Sequence, residues 1–127
     1  MDLSSLNNAM NTLINRTQAY LDNLPELNFA TYEQQLDIPY VSNQYSRIVE
    51  LYSNLLKLQT DIQYFISQCN KIVKLMPGNT TLEKAQINKV KTAISLVKEV
   101  AEPLDIERDR LKTVEMFYRS LFNRKDI

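Results

Sequence analysis

Residues 41–83 read VSNQYSRIVELYSNLLKLQTDIQYFISQCNKIVKLMPGNTTLE. In the first part of this stretch Val41, Tyr45, Ile48, Tyr52, Leu55, Ile62, Ile66, Cys69, Val73 and Met76 recur in alternating steps of four and three, interrupted only at Gln59. That rhythm is the narrow seam of a coiled coil rather than the broader stripe of a surface helix. At ~1.5 Å per residue the helix over 41–76 is roughly 50 Å long, too long to cover its own apolar face. It needs a partner helix. Pro77, Gly78 and Asn79 make a tight reversal, and Thr80 stands three residues before Glu83, the capping-box spacing that satisfies two otherwise unpaired amides at a helix start. The spacing predicts an antiparallel helical hairpin with its tip at Pro77–Thr80.

Working outward, the returning helix over 80–124 carries Ile87, Val90, Ile94, Val97, Ala101 and Leu104 on one seam. Pro103 lies inside it and removes one backbone donor, which predicts a kink or short break near 101–104. Beyond it Leu111, Val114, Phe117, Tyr118, Leu121 and Phe122 form a wider, more aromatic face than one partner helix needs. Self-association is the expected use, which makes these residues the candidate oligomer interface. Upstream, Leu3, Leu6, Met10, Leu13, Thr17, Tyr20 and Leu24 predict a first helix over about 2–24. Asp2, Ser4 or Ser5 would cap it, and Pro25 would end it. Residues 25–40 break the periodicity and read as an ordered connector, with one helical turn around 30–36, packing Leu27, Phe29, Tyr32, Leu36 and Ile38 on the bundle. The whole is a single elongated all-α domain over 1–127, a long coiled-coil-like hairpin with an additional N-terminal helix that buries its face within its own subunit or against a neighbour.

Composition agrees with this class. One glycine, four prolines and no tryptophan in 127 residues leave few turns, which suits a few long helices. No histidine is present, which removes the usual general base, the usual transition-metal ligand and every Ser-His or Cys-His nucleophile pair. A single glycine cannot build a phosphate-cradling loop. Asp105, Glu107 and Asp109 alternate with Ile106, Arg108 and Arg110 and read as a solvated face laced with weak ion pairs. No enzyme, cofactor or metal is expected. Cys69, the only cysteine, excludes an internal disulfide and reads as a buried thiol in a reducing compartment. With no leader-like start and no apolar run near the ~20 residues of a membrane span, the expectation is a soluble, cytoplasmic protein without a membrane partner.

The formal net charge is zero, with 15 basic and 15 acidic residues, so any electrostatic site must be local. Residues 1–70 hold three basic residues against seven acids, a net of −4. Residues 71–98 hold Lys71, Lys74, Lys84, Lys89, Lys91 and Lys98 against Glu83 alone, a net of +5. In a hairpin this stretch lies on both sides of the tip, and Lys84, Lys91 and Lys98, seven apart, share one helical face. Lysines converging from two helices can neutralise several backbone phosphates whatever the base sequence; such lysines also serve simply to keep a coiled-coil flank in water. A second basic group, Arg110, Lys112, Arg119, Arg124 and Lys125, lies among Phe117, Tyr118 and Phe122. Aromatic residues among basic ones suit base stacking, and at helical spacing they suit a core or interface more often.

Two stretches resemble the UvsY family of phage recombination mediators. The first is Leu36-Asp37-Ile38-Pro39, followed by Tyr45 and a long apolar helix that turns at Gly78. The second is Arg119-Ser120-Leu121-Phe122-Asn123-Arg124, similar to the family's ending to its last helix. Together they span about 36–127. Ser42 and Gln44 stand where the family carries basic residues, which leaves Lys71 and Lys74 in the matching basic stretch. The resemblance implies a helical, oligomeric, non-enzymatic protein that binds single-stranded DNA and helps load a recombinase onto strands covered by single-strand-binding protein, in the host cytoplasm if phage-encoded. The nucleic-acid contacts would be Lys71, Lys74, Lys84, Lys89, Lys91 and Lys98, with Arg119 and Arg124. The alternative is a coiled-coil adaptor or structural subunit of a larger assembly, phage or eukaryotic, without nucleic-acid binding.

Overall fold

The computed structural model describes residues 2–123. Its elements are four helices, α1 Leu6–Asp22, α2 Tyr32–Gln35, α3 Ile38–Leu75 and α4 Thr81–Phe122; no strand occurs among the described residues. The protein is all-α, and its two long helices pack against each other along most of their length.

Local chemistry sets each boundary. Gly78 adopts φ 72°, the left-handed conformation that costs an L side chain ~1–2 kcal/mol, and a Cβ there would stand 3.3 Å from the Ile87 side chain. Thr80 then caps α4: the Glu83 amide donates to the Thr80 hydroxyl oxygen at 3.1 Å, and the Thr80 amide donates to the Glu83 carboxylate at 3.3 Å. α3 begins three residues before Val41, because Asp37 accepts from the Tyr40 amide at 3.1 Å and Pro39 occupies the first turn, where a missing amide costs nothing. Pro39 therefore opens the helix. α2 has its own capping box, Thr31 with Gln34.

Of the kink or short break expected at Pro103, the break does not occur: α4 is helical without interruption from Thr81 to Phe122. Pro103 and Glu99, whose carbonyl loses its amide partner, both lie on the exposed side, so that carbonyl faces solvent while buried Leu104 holds the inner face.

α1 packs within its own chain against both α3 and α4, running antiparallel to α3. Tyr20 donates its hydroxyl to the Leu51 carbonyl at 2.8 Å, Arg16 pairs with Asp61 at 2.9 Å, and Ser5 and Asn8 lie beside Tyr64 and Gln68. Leu6 and Leu13 are buried there, and so is Thr17, whose hydroxyl donates to the Leu13 carbonyl at 2.7 Å and is thus satisfied in the core. The fully buried part of the core ends at Cys69 on α3 and Val90 on α4. Below that level the molecule is a three-helix bundle, and above it a two-helix tip. The base is closed by the segment between α1 and α3, which places Leu27 and Ala30 in the core.

Candidate nucleic-acid interface

A groove runs along the α3–α4 junction. Its upper part is lined from α3 alone, by Gln63, Ile66, Ser67, Asn70, Lys71 and Lys74. Gln63 and Ile66 continue into a lower part bounded by Gln59 of α3 and by Lys98, Glu102, Asp105 and Arg108 of α4. Gln63 lies two positions, about 200° of helix, from Asp61, which meets α1. The groove therefore opens on the side away from α1. Lys84 and Lys91, exposed and seven apart, continue the Lys98 stripe toward the tip. Lys89 lies about 200° around α4 from Lys91 and faces the other side of the hairpin.

The basic residues divide into two classes. Arg16, Arg108, Arg110 and Arg119 are committed to carboxylates of the same chain, with Asp61, Asp105, Glu107 and Glu115 at 2.9, 3.7, 2.7 and 2.6 Å. Among the described residues none of the six lysines between 71 and 98 takes part in an ion pair. Glu83, the one acid in that stretch, is engaged in the α4 cap. The groove is accordingly of one sign from Lys98 to the tip and mixed below, where Glu102 and Asp105 enter it. Free ammonium groups on flexible stems suit phosphate oxygens. No aromatic side chain lines the groove, so it offers contacts to a backbone rather than platforms for bases.

The interruption of the seam at Gln59 has a structural counterpart. Gln59 donates from Nε2 to Asp105 at 2.9 Å and accepts from Arg108 at 3.5 Å, so a polar layer crosses the hairpin where a hydrophobic pair would otherwise stand. A layer of this kind disfavours slipped registers, since sliding by a heptad would leave its members unpaired.

Arg119 is not brought to the lysines. It sits 21 residues beyond Lys98, roughly 30 Å along α4, and grips Glu115 through both Nε and Nη2 at 2.9 and 2.6 Å. This clamp holds the Glu115 carboxyl below the usual range, and Tyr45, partly buried and donating to Glu115 at 3.2 Å, has its hydroxyl pushed up chiefly by burial. Arg124 lies outside the described residues.

The aromatic face at the end of α4 is largely covered within the single chain. Leu111, Val114 and Tyr118 are buried, and Phe117 and Leu121 are partly so. Tyr118 donates its hydroxyl to the Asn28 carbonyl at 3.0 Å, Phe117 meets Phe29 edge-on at 4.8 Å, and Phe122 meets Tyr45 at 5.2 Å. Phe122 remains half exposed. The extra width of this face is met by the connector, some ninety residues earlier in the chain. Tyr118 presents no ring face to a base.

Cys69 is fully buried and free, and burial pushes its thiol up, away from the reactive thiolate. Among the described residues no cluster of three or more potential metal ligands occurs, and no helix is long and apolar enough to cross a membrane. No protein-family model, curated protein or solved structure matches the chain.

Proposed function

We propose that this chain is a non-enzymatic single-stranded DNA-binding accessory protein of recombination, which self-associates and helps load a recombinase onto strands covered by single-strand-binding protein. One observation carries the DNA-binding part: five unpaired lysines, Lys71, Lys74, Lys84, Lys91 and Lys98, lie along one side of the hairpin, contributed by two antiparallel helices. The mediator role rests on the resemblance of Leu36–Pro39 and Arg119–Arg124 to the UvsY family. Self-association supplies avidity that one subunit of zero net charge lacks. The uniform sign of the upper groove favours phosphate over a peptide ligand of mixed charge.

The test is fluorescence anisotropy of a labelled single-stranded oligonucleotide titrated with protein at several salt concentrations, with duplex as control. If each of the five lysines neutralises one phosphate, the logarithm of affinity falls with the logarithm of salt with a slope of about −3.5. Reversing Lys71, Lys74 and Lys98 to Glu removes binding while the helical circular dichroism is unchanged. Absence of binding at low salt overturns the reading and leaves the coiled-coil adaptor, to which the exposed Leu75 and Ile106 side chains would then be assigned.

A further inference from the structure

The two ends of this molecule differ in charge and both expose apolar side chains. At the tip, Leu75 is 84% and Leu82 68% exposed. Leu75 lies seven residues beyond Gln68, on the stripe of α3 that receives α1, just past the point where α1 stops. Leu82 heads a stripe of α4 with Lys89 and Leu96, seven apart and about 200° from the Lys84 stripe. Both leucines thus lie on the side opposite the lysine groove, on the uncovered continuation of the surface that α1 fills lower down. Lys71 and Lys74 flank Leu75, and Lys89 follows Leu82 by two turns, so this apolar surface has a basic rim.

At the base, the connector reverses the sign. Residues 17–46 hold Asp22, Glu26, Glu33 and Asp37 and no basic residue. Tyr32 and Leu36, one turn apart, are 76% and 62% exposed, and Ile38 is 72% exposed. Glu33 follows Tyr32 and Asp37 follows Leu36 in the chain, Asp37 also accepting from the Tyr40 amide at the start of α3. The capping box of α2 and the Asp37 cap of α3 hold the segment in this shape, so the surface is ordered before anything docks on it.

We propose that the protein associates with itself head to tail, the Leu75–Leu82 surface at the hairpin tip of one copy docking on the Tyr32–Leu36 surface at the base of the next. Apolar side chains meet at the centre and lysines meet carboxylates at the rim, whereas tip-to-tip or base-to-base pairing would oppose like charges. The contact is heterologous, so copies add in one direction and close into a ring or extend as a filament. Both surfaces are small, which makes the association concentration-dependent. Lys71 and Lys74 belong to both surfaces, so docking leaves Lys84, Lys91 and Lys98 of each copy open. The inference rests on the proposed function only for the premise of self-association, and its test contains no DNA, so failure of either is seen separately.

Sedimentation velocity across a wide concentration range tests it with two variants, Leu75→Asp with Leu82→Asp at the tip and Tyr32→Arg with Leu36→Arg at the base. The wild-type protein is expected to form concentration-dependent species larger than a dimer, and each variant alone to be monomeric. An equimolar mixture of the two is expected to form a one-to-one dimer and nothing larger, since only one tip–base pair remains competent. A wild-type protein that stays monomeric, a variant that still associates alone, or a mixture that stays monomeric overturns the proposal. Leu75→Ser with Leu82→Ser replaces the aspartate pair if its helicity drops.

Discussion

The lower part of the hairpin and its tip are built from the same two helices but held by different means. Below Cys69 and Val90, α1 and the connector turn the hairpin into a bundle, and tyrosine hydroxyls tie the layers together: Tyr20 to Leu51, Tyr45 to Glu115, Tyr118 to Asn28. Four arginines there, Arg16, Arg108, Arg110 and Arg119, are paired with local carboxylates, while Lys91 and Lys98 on the groove side are not. Above that level the inner residues Ile72, Val73, Met76 and Ile87 are only partly buried, the basic residues are lysines, and none is paired. One region buries its inner apolar residues completely, while the other leaves them partly open. A surface kept available for binding is usually found at the less stable end of a fold, because the contacts that would stabilise it are the ones reserved for the partner.

This contrast is open to direct attack. The largest effect is expected from Leu104→Ala, which opens a cavity under a fully buried side chain and should lower unfolding free energy in urea by about 3 kcal/mol. Leu75→Ala at the exposed tip should change it by less than about 0.5 kcal/mol; equal effects would mean that the tip contributes to the core as the base does. Next, Tyr118→Phe removes the donor that ties α4 to the connector, leaves the Asn28 carbonyl unpaired, and should cost about 1–2 kcal/mol. Gly78→Ala, by contrast, strains the left-handed turn and should cost about 1 kcal/mol. Native-state hydrogen exchange sharpens the difference further: tip amides should exchange through local opening in both proteins, whereas Tyr118→Phe should loosen the base alone.

A pH experiment separates the two ends in another way. Burial, with a smaller contribution from Glu107 opposed by Arg110, pushes the Tyr20 hydroxyl from its usual 10.0 up to about 12. The folded-state value is raised, so the stabilisation is complete below pH 10 and is lost as pH rises toward 12. Tyr20→Phe should therefore be about 1 kcal/mol less stable than the wild-type protein at neutral pH, and the gap between their urea midpoints should close between pH 10 and 12. A gap independent of pH in that window would show that burial does not raise the Tyr20 hydroxyl. The smallest stability effect is expected from Lys74→Ala, within about 0.5 kcal/mol; its consequence should be seen only in nucleic-acid affinity and in a salt slope shallower by about 0.7.

Much of the scaffold could be read from residue order because its signals are local. The four-three rhythm from Val41 to Met76, Pro77-Gly78-Asn79 and the Thr80–Glu83 pair each act within one or two turns of chain, and the structure places the hairpin where they do. α3 begins before the expected residue 41 for a local reason as well: Asp37 caps it and Pro39 lies in its first turn. Thr31 and Gln34 carried a capping box that could have been found by the same spacing as Thr80 and Glu83. The heptad spacing of Lys84, Lys91 and Lys98 was sufficient to place them on one stripe, and by the same arithmetic it sets Lys89 apart from them.

What no local pattern contained was the pairing of distant segments. By itself the sequence determined the long helices, the Thr80–Glu83 cap, the tip and the charge reversal between its first seventy residues and the next twenty-eight. Only the tertiary structure decided that α1 packs on its own hairpin, that the connector covers the aromatic end of α4, and that Gln59 is answered by Asp105 and Arg108. It also decided which cations are neutralised at home and which are left free. The physical reason is range: a cap or a heptad is fixed by backbone geometry over a few residues, whereas the choice among several compatible apolar faces depends on which segments the folded chain brings within contact, and for Asn28 and Tyr118 those segments are 90 residues apart.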